Sequence, residues 1–173
     1  MAENKRLKAL LELKLISKYP VVTAKVIARD PSNWNAVMII DKGEEYGLRQ
    51  GMPVISFSNV IGKISETGKK TSKVMLLSDP SFNVAAVLQR SRDSGLVTGT
   101  LQGICRMRYL PLHSDVRLGD KVITSTLSSS FPEGLMIGEV ISIQESQSNP
   151  TVECLIKPTA FILQTEEVLV IKK

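Results

Sequence analysis

The side chains that could form a catalytic triad are few in this sequence of 173 residues. Its sole histidine, His113, lies in the polar stretch LPLHSDV. A chymotrypsin-like serine hydrolase would pair it with Ser125 as nucleophile and with Asp79 or Asp115. No glycine-flanked turn surrounds Ser125, and Asp115 follows the histidine by only two residues. These patterns argue against acyl-transfer chemistry, so a hydrolase is kept only as an alternative.

Residue patterns for a cofactor or a metal ion are also absent. Gly43, Gly47 and Gly51 recur every four residues, but no helical pattern follows them, as a phosphate-binding loop requires. Cys105 and Cys154 have no second cysteine or histidine nearby at metal-ligand spacing. We therefore expect no cofactor and no metal, and we interpret the three glycines as turn residues.

The cysteines and the paired glutamates are interpreted from strand alternation. Cys105 shares a strand face with Met107 and Tyr109, and Cys154 lies in a similar apolar pattern, so buried free thiols are favoured over a disulfide. Adjacent residues of a strand point to opposite faces. The pairs Glu44–Glu45 and Glu166–Glu167 are therefore not expected to converge on one site.

The charge is concentrated at the start of the chain. The net charge is +5, and residues 1–18 contain five lysines or arginines and two glutamates. A nucleic-acid-binding barrel would carry a dense basic face with interleaved aromatic residues. Only 5% of the residues are aromatic, so nucleic-acid binding is the weaker alternative.

Residues 3–18, ENKRLKALLELKLISK, are predicted to form the only strong helix. Leu7, Leu11 and Leu15 recur every four residues on one face, and Pro20 ends the pattern. The stripe is compatible with the end of a coiled coil that pairs two chains, and equally with a helix packed on its own β domain.

Short strand patterns follow from residue 21 to the end. They are rich in β-branched residues and are separated by turns such as DPSN, TGKKTS and SDPS. Such a succession predicts small barrels or sandwiches, with about six strands in each half. The predicted fold is therefore mainly β: an N-terminal helix followed by two small, similar, six-stranded barrels.

A repeated pattern supports two similar β units. VIGKI (60–64) resembles MIGEV (136–140), and the segments around them also correspond. The recurring landmarks are Gly51 and Gly119, Gly62 and Gly138, and Pro80 and Pro158. We predict a helix at 1–19, a first barrel at 20–98 and a second at 99–173, with strand exchange between the barrels left open.

In combination, six stretches resemble the bacterial rod shape-determining MreC family. They are IIDKGEEYGLRQGMPV (39–54), VIGKI (60–64), KVMLLSDPSFNVAAVLQRSRDSGLVTG (73–99), RMRYLP (106–111), LGDKVITS (118–125) and FPEGLMIGEV (131–140). The departure is in TSTLSSSFPEG, where Thr126 and Ser128 replace glycines that flank the leucine in many members.

The resemblance implies a non-catalytic scaffold of the cell-elongation machinery. Such proteins have a membrane-spanning anchor, a dimerising coiled coil and two β-barrels on the extracytoplasmic (periplasmic) face of the inner membrane. This chain is expected to hold the end of the coiled coil and both barrels, without the anchor. The implied partners are a morphogenetic membrane protein, the elongation-specific peptidoglycan transpeptidase, and further copies in dimers or filaments.

An apolar patch on the second barrel is expected to contact the transpeptidase. Phe131 and Pro132 stand at the tip of a long hairpin before Gly134, and Tyr109 lies in the RMRYLP strand. The alternative is that Phe131 folds back and caps the barrel. On this hypothesis Tyr109, Phe131 and Pro132 bind the partner, while Leu7, Leu11 and Leu15 pair the chains.

Overall fold

The computed structural model describes residues 2–3, 5–7, 10, 18–29, 37–100, 102–145, 151–160 and 162–172. The fold is mainly β, as predicted. Its strands are β1 (Val21–Arg29), β2 (Val37–Ile40), β3 (Pro53–Ser56), β4 (Asn59–Thr67), β5 (Ser72–Leu76), β6 (Asn83–Leu88), β7 (Ser94–Gly99), β8 (Cys105–Pro111), β9 (Lys121–Thr124), β10 (Met136–Glu145), β11 (Thr151–Pro158) and β12 (Glu167–Ile171). Two single-turn 3-10 helices, Glu44–Tyr46 and Ile162–Gln164, connect strands.

Strands β6 to β11 form a closed six-stranded barrel, called here the second ring. Their order is β11-β8-β7-β6-β9-β10, and pairing of β10 with β11 closes the ring. In β6 the buried residues alternate along the strand: they are Val84, Ala86 and Leu88. Closure pairs the edge strands, which would otherwise expose free backbone groups.

The remaining six strands form the first ring. Their order is β4-β3-β12-β1-β2-β5, and pairing of β4 with β5 completes it. The two rings meet at a short parallel contact, where Met136 of β10 lies opposite Asn59 of β4. The Met136 amide donates a hydrogen bond to the carbonyl oxygen of Ser58, at 3.0 Å.

This pairing divides the chain differently from the predicted ranges 20–98 and 99–173. β6 and β7 belong to the second ring, because β7 pairs with β8 and β6 pairs with β9. β12 belongs to the first ring, because it pairs with β1 and β3. The second ring therefore lies in the sequence between two strands of the first. Alternation identifies the buried face of a strand but not its neighbours, so the sequence pattern alone could not reveal this order.

Two glycines of the predicted repeat have the same role in the two rings. A Cβ atom at Gly62 would lie 2.0 Å from the carbonyl oxygen of Met75, and one at Gly138 would lie 2.2 Å from that of Lys157. Only a residue without a side chain permits so close an approach of the neighbouring strand.

The third landmark of the repeat is placed differently. Gly62 lies opposite Leu76 in β5, whereas Gly138 lies opposite Pro158 in β11. Pro158 therefore corresponds to Leu76 and not to Pro80. The two prolines resemble each other in sequence only because each comes after a run of apolar residues; Pro158 is the last residue of β11, whereas Pro80 lies beyond the end of β5.

The buried side chains form two clusters. One lies within the first ring, and the other includes Ile55 and Leu77 of the first ring together with Phe82 and Phe131 of the second. The shared cluster explains why the two rings are packed against each other. The predicted buried thiols are found: Cys105 and Cys154 are both buried and free, and both lie in the shared cluster.

The predicted N-terminal helix is described only in part. Residues 2–3, 5–7, 10 and 18 have helical conformation, and Leu7 is 53% exposed. Leu11 and Leu15 lie outside the described residues, so pairing through the leucine stripe stays a prediction. Within the described part of the chain, no helix is long and apolar enough to span a membrane.

Candidate partner-binding surfaces

The structure does not assemble the hydrolase triad. His113 lies in the connection before β9, whereas Ser125 directly follows β9, at the opposite end of that strand. A strand of this length separates its ends by roughly 13 Å, at about 3.3 Å per residue. Ser125 is buried, and its hydroxyl oxygen accepts a hydrogen bond from the Leu127 amide at 3.1 Å. This serine stabilises a turn and is not presented as a nucleophile.

The candidate aspartates also have structural partners. Asp115 accepts a hydrogen bond from the Arg90 guanidinium at 2.9 Å and a second from Arg117, which together lower the pKa of its carboxyl group. Asp79 accepts a hydrogen bond from the Ser81 amide at 2.8 Å. Both carboxylates therefore hold loops in place.

Arg90 connects two loops at one end of the second ring. Its guanidinium binds both carboxylate oxygens of Asp120 at 2.9 Å, and Asp120 also accepts the Arg117 amide at 2.9 Å. These hydrogen bonds, first of all the one from Arg90, lower the pKa of Asp120. The network fixes the connection between β8 and β9.

Among the described residues, neither the two thiols nor a cluster of metal-binding side chains forms a reactive centre. Burial raises the pKa of Cys105 and of Cys154 to about 12, so both thiols stay protonated at neutral pH. Across the residues that the structure describes, no group of three or more metal-binding side chains is found.

Two of the three residues predicted to bind a partner prove to be buried. Phe131 is only 2% exposed and packs edge-to-face on Phe82, with ring centroids 6.0 Å apart. Pro132 is buried beside it, and its carbonyl oxygen accepts the Thr124 hydroxyl at 2.6 Å. The prediction of an exposed Phe-Pro tip is wrong, because the long loop turns back and caps the ring. The exposed apolar residue of this loop is Leu127.

Tyr109 is exposed, but not in the way that strand alternation predicts. The register between β8 and β11 shifts between the pairs Cys154–Met107 and Val152–Leu110, so β8 carries an extra residue there. Tyr109 occupies this bulge with φ of +66°, and its side chain is 62% exposed. A bulge can turn a side chain from one face of a strand to the other. Tyr109 therefore leaves the core face on which the sequence pattern places it.

Two arginines precede Tyr109 in β8, where alternation with buried Cys105 and Met107 places them on the outer side of the strand. Arg106 Nε and Arg108 Nε lie 3.9 and 3.8 Å from the carboxylate of Glu153 on β11. Neither Nε atom has a hydrogen-bond partner among the described residues. Two cations thus share one anion at distances beyond a hydrogen bond, which leaves an excess of positive charge.

We define the β8 surface as Arg106, Arg108, Tyr109 and Glu153. Tyrosine and arginine are enriched in protein interfaces, where they combine apolar contact with hydrogen bonding. This surface has no arrangement for bond chemistry. It can bind a partner that offers an apolar group and a carboxylate.

Sequence reasoning missed a groove on the first ring. Phe57 is 73% exposed in the two-residue turn between β3 and β4, and it lines a groove of about 530 Å³ together with Glu166 and Glu167. Glu167 is the first residue of β12 and Glu166 directly precedes it, so both residues lie along the groove. An aromatic residue inside SFSN, between two strand patterns, is the sequence signal that could have indicated this site.

The comparisons with known proteins agree on one family. Residues 26–172 match the profile described as "Rod shape-determining protein MreC, barrel core". The cell shape-determining protein MreC of Listeria monocytogenes is 34% identical over 177 residues, covering 99% of this chain and 60% of the relative. The chain thus spans about three fifths of that relative's length. The name of this relative supports neither a hydrolase nor a nucleic-acid-binding protein.

Two solved structures share the fold. MreC from L. monocytogenes has a TM-score of 0.85 and 30% identity, covering 99% of this chain and 91% of that chain. A complex between penicillin-binding protein PBP2 and MreC from Helicobacter pylori has a TM-score of 0.71 and 16% identity, covering 88% and 98%. At this lower identity the likeness shows the fold alone.

Proposed function

The chain belongs to the rod shape-determining MreC family, and we propose that it is a non-catalytic scaffold of the bacterial cell-elongation machinery. The absence of an assembled triad or a metal-binding group among the described residues is compatible with this role, although it does not establish it. The relative's name, which refers to the determination of cell shape, supports it directly.

The scaffold links a morphogenetic membrane protein to the peptidoglycan-synthesising transpeptidase. A structural neighbour in complex with PBP2 supports a transpeptidase partner. The scaffold acts on the extracytoplasmic (periplasmic) face of the inner membrane, held by an anchor in the full-length protein. Leu7, Leu11 and Leu15 pair two chains, and paired chains can assemble into filaments. The two rings act as two small barrels that present the binding surfaces.

The observation that carries the partner site is the conformation of Tyr109. A non-glycine residue in the left-handed region costs on the order of 1–3 kcal/mol, and such strained residues cluster at functional sites. Here the bulge holds Tyr109 at positive φ and turns its ring outward. The strand also carries two arginines whose Nε atoms have no hydrogen-bond partner among the described residues. The β8 surface is therefore the transpeptidase contact. It retains Tyr109 from the sequence-based hypothesis and replaces Phe131 and Pro132 with Arg106 and Arg108.

The test is the affinity of this chain for the extracytoplasmic part of the elongation transpeptidase. Tyr109→Asn removes the ring but keeps a residue that tolerates positive φ. We expect this variant to weaken binding about tenfold or more, as for an interface anchor. The double variant Arg106→Gln, Arg108→Gln should weaken transpeptidase binding more than Tyr109→Asn does, and the remaining binding should depend less on salt concentration.

A matched control lies in the other ring. Ile27 is exposed at a register shift in β1, between the pairs Val26–Ile40 and Ala28–Ile39. Ile27→Thr should leave transpeptidase binding unchanged. Equal affinities of the Tyr109 and Ile27 variants would move the contact away from the β8 surface, and absence of any saturable binding would remove the proposed partner.

A further inference from the structure

We propose that the groove beside Phe57 binds a short apolar segment of a partner protein that carries lysine or arginine. The groove lies on the first ring, and the proposal does not depend on the β8 surface. Its apolar lining is Phe57, Ala160 and Leu169, and its charged lining is Glu166 and Glu167. The volume, about 530 Å³, falls in the range of about 300–1,000 Å³ that is usual for ligand-binding clefts.

The turn that carries Phe57 is held in a demanding conformation. Phe57 and Ser58 have φ of +49° and +66°, and a two-residue hairpin turn with both φ values positive normally contains asparagine and glycine. Ser58 is buried, whereas the Phe57 ring is 73% exposed. An exposed phenylalanine contributes nothing to the turn that asparagine would not provide better. Its apolar surface is therefore available for an external contact.

The far wall of the groove is fixed before anything binds. The Arg29 guanidinium donates to the carbonyl oxygens of Ile162 and of Thr165, the latter at 3.1 Å. The Glu166 carbonyl oxygen accepts the Val26 amide at 2.8 Å. These bonds hold the connection into β12 against β1, so binding would need little ordering of the wall.

The end of the groove nearest the second ring is also fixed. The Thr159 hydroxyl donates to the side-chain oxygen of Asn59 at 2.9 Å, which ties the chain after β11 to the start of β4. Asn59 lines the groove below the Phe57 turn. The hairpin and the connection after β11 are therefore held at a constant separation.

The charge of the groove selects the kind of segment. The chain has a net charge of +5, yet the charged groups that line this groove are two glutamates. Among the ion pairs between described residues, none includes Glu166 or Glu167. Lys25 lies opposite Glu167 in the strand register, but it does not line the groove. An acidic segment would be repelled, whereas a basic one gains two ionic contacts around its apolar anchor.

The experiment uses the whole chain and two matched peptides, GKLFLKG and GELFLEG, which share the same apolar residues. Backbone amide chemical shifts are followed by NMR during titration. We expect saturable shifts at Thr23, Phe57 and Leu169 with the basic peptide only, and weaker binding at higher salt. Glu166→Gln with Glu167→Gln should weaken binding about fivefold, as expected for partly solvated charge pairs.

Three variants test whether the peptide binds in the groove itself. Phe57→Asn removes the ring while favouring the turn, so lost binding cannot be ascribed to misfolding. Glu44→Gln with Glu45→Gln removes an exposed acidic pair elsewhere on the first ring and should change nothing. Tyr109→Asn should also leave peptide binding intact, which separates this proposal from the one for the transpeptidase.

Three outcomes would overturn the inference. Equal affinity for the acidic and basic peptides would show that the two glutamates do not select a basic segment. Shifts confined to residues outside the groove would remove the site. If the amide chemical shifts of groove residues change with protein concentration in the absence of peptide, a second copy of the chain occupies the groove.

Discussion

The two rings share a hydrogen-bonded glycine turn before a strand, but they differ in the hairpin that follows that strand. Ahead of β3 the Gly51 amide donates to the Ile64 carbonyl oxygen, and ahead of β9 the Gly119 amide donates to that of Val140, each at 2.8 Å. After this shared turn and strand, the first ring returns through residues 57–58 and the second through residues 125–135. The short return exposes a phenylalanine, while the long return buries one. The two rings therefore repeat the same turn and strand, while their hairpins differ and expose different side chains.

A second difference lies at the turn itself. Met52 and Asp120 follow the equivalent glycines, and their carbonyl oxygens accept the amides of Ile64 and Val140 at 2.9 and 3.0 Å. The side chains diverge: Met52 packs against the core of the first ring, whereas Asp120 binds Arg90. The turn at Gly51 is stabilised by apolar packing of Met52, whereas the turn at Gly119 is stabilised by the ion pair between Asp120 and Arg90.

The largest expected effect compares the two phenylalanines. Phe131→Ala should lower the free energy of unfolding by about 4 kcal/mol, because it opens a cavity in the core shared by the rings. Phe57→Ala should change it by less than about 0.5 kcal/mol, because the ring is exposed. Denaturant unfolding measures both. Similar losses for the two variants would show that the hairpins do not differ as described.

The next effect tests the equivalence of the close-packed glycines. Gly62→Ala and Gly138→Ala should each cost about 3 kcal/mol, since the new Cβ would overlap a backbone oxygen of the neighbouring strand. Gly119→Ala is the control: its φ is +86° but nothing lies within 4 Å of a new Cβ, so it should cost about 1 kcal/mol. Clearly different losses of unfolding free energy for Gly62→Ala and Gly138→Ala would show that the two glycines do not have the same role in the two rings.

A smaller effect concerns pH. The folded pKa of Asp120 lies below its unfolded value of about 3.9, so its stabilising contribution is present above that value and is lost as pH falls through the folded pKa. Asp120→Asn should destabilise the protein at pH 7, and its difference from the wild type should shrink below about pH 4.

The first ring provides the comparison for this pH effect. Asp41 accepts the Lys25 amide at 2.8 Å, which lowers the pKa of Asp41. Asp41→Asn should give a smaller pH-dependent change, because a backbone amide and the Lys42 ammonium 3.5 Å away take the place of a guanidinium that binds both carboxylate oxygens. Unfolding of both variants between pH 3 and 7 measures the difference, and an equal response would argue that the Arg90 network adds nothing.

The smallest effect has the opposite sign. Phe57→Asn should raise the free energy of unfolding by about 0.5 kcal/mol, because asparagine adopts positive φ more readily than phenylalanine. Thermal unfolding under conditions where it is reversible detects such a change. A loss of stability would mean that the Phe57 ring packs on its own groove.

Local patterns predicted what is local in this fold. The strand segments, the two buried thiols and the close-packed Gly62 and Gly138 follow from alternation and from the lack of a side chain. Pairing between β12 and β1 does not, because it joins residues at opposite ends of the chain. The path of the loop that buries Phe131 is also decided by tertiary contacts.

The candidate sites were harder to predict for the same reason. Tyr109 could be singled out as an aromatic residue in a strand that also carries two arginines, but its direction depends on a bulge set by the register with β11. Glu166 and Glu167 line one groove at the start of β12, and the position at which a strand begins is poorly determined by composition. Phe57 resembles the last residue of a strand until the turn is seen.

The position of β12 in the sequence has a consequence during translation. The second ring is complete once residues 83–158 have left the ribosome, whereas the first ring lacks one strand until residues 167–171 emerge. Until then β1 and β3 present open edges, which favour incorrect pairing with other nascent chains. The order of synthesis therefore makes all strands of the second ring available before those of the first ring, whose open edges persist until β12 can pair.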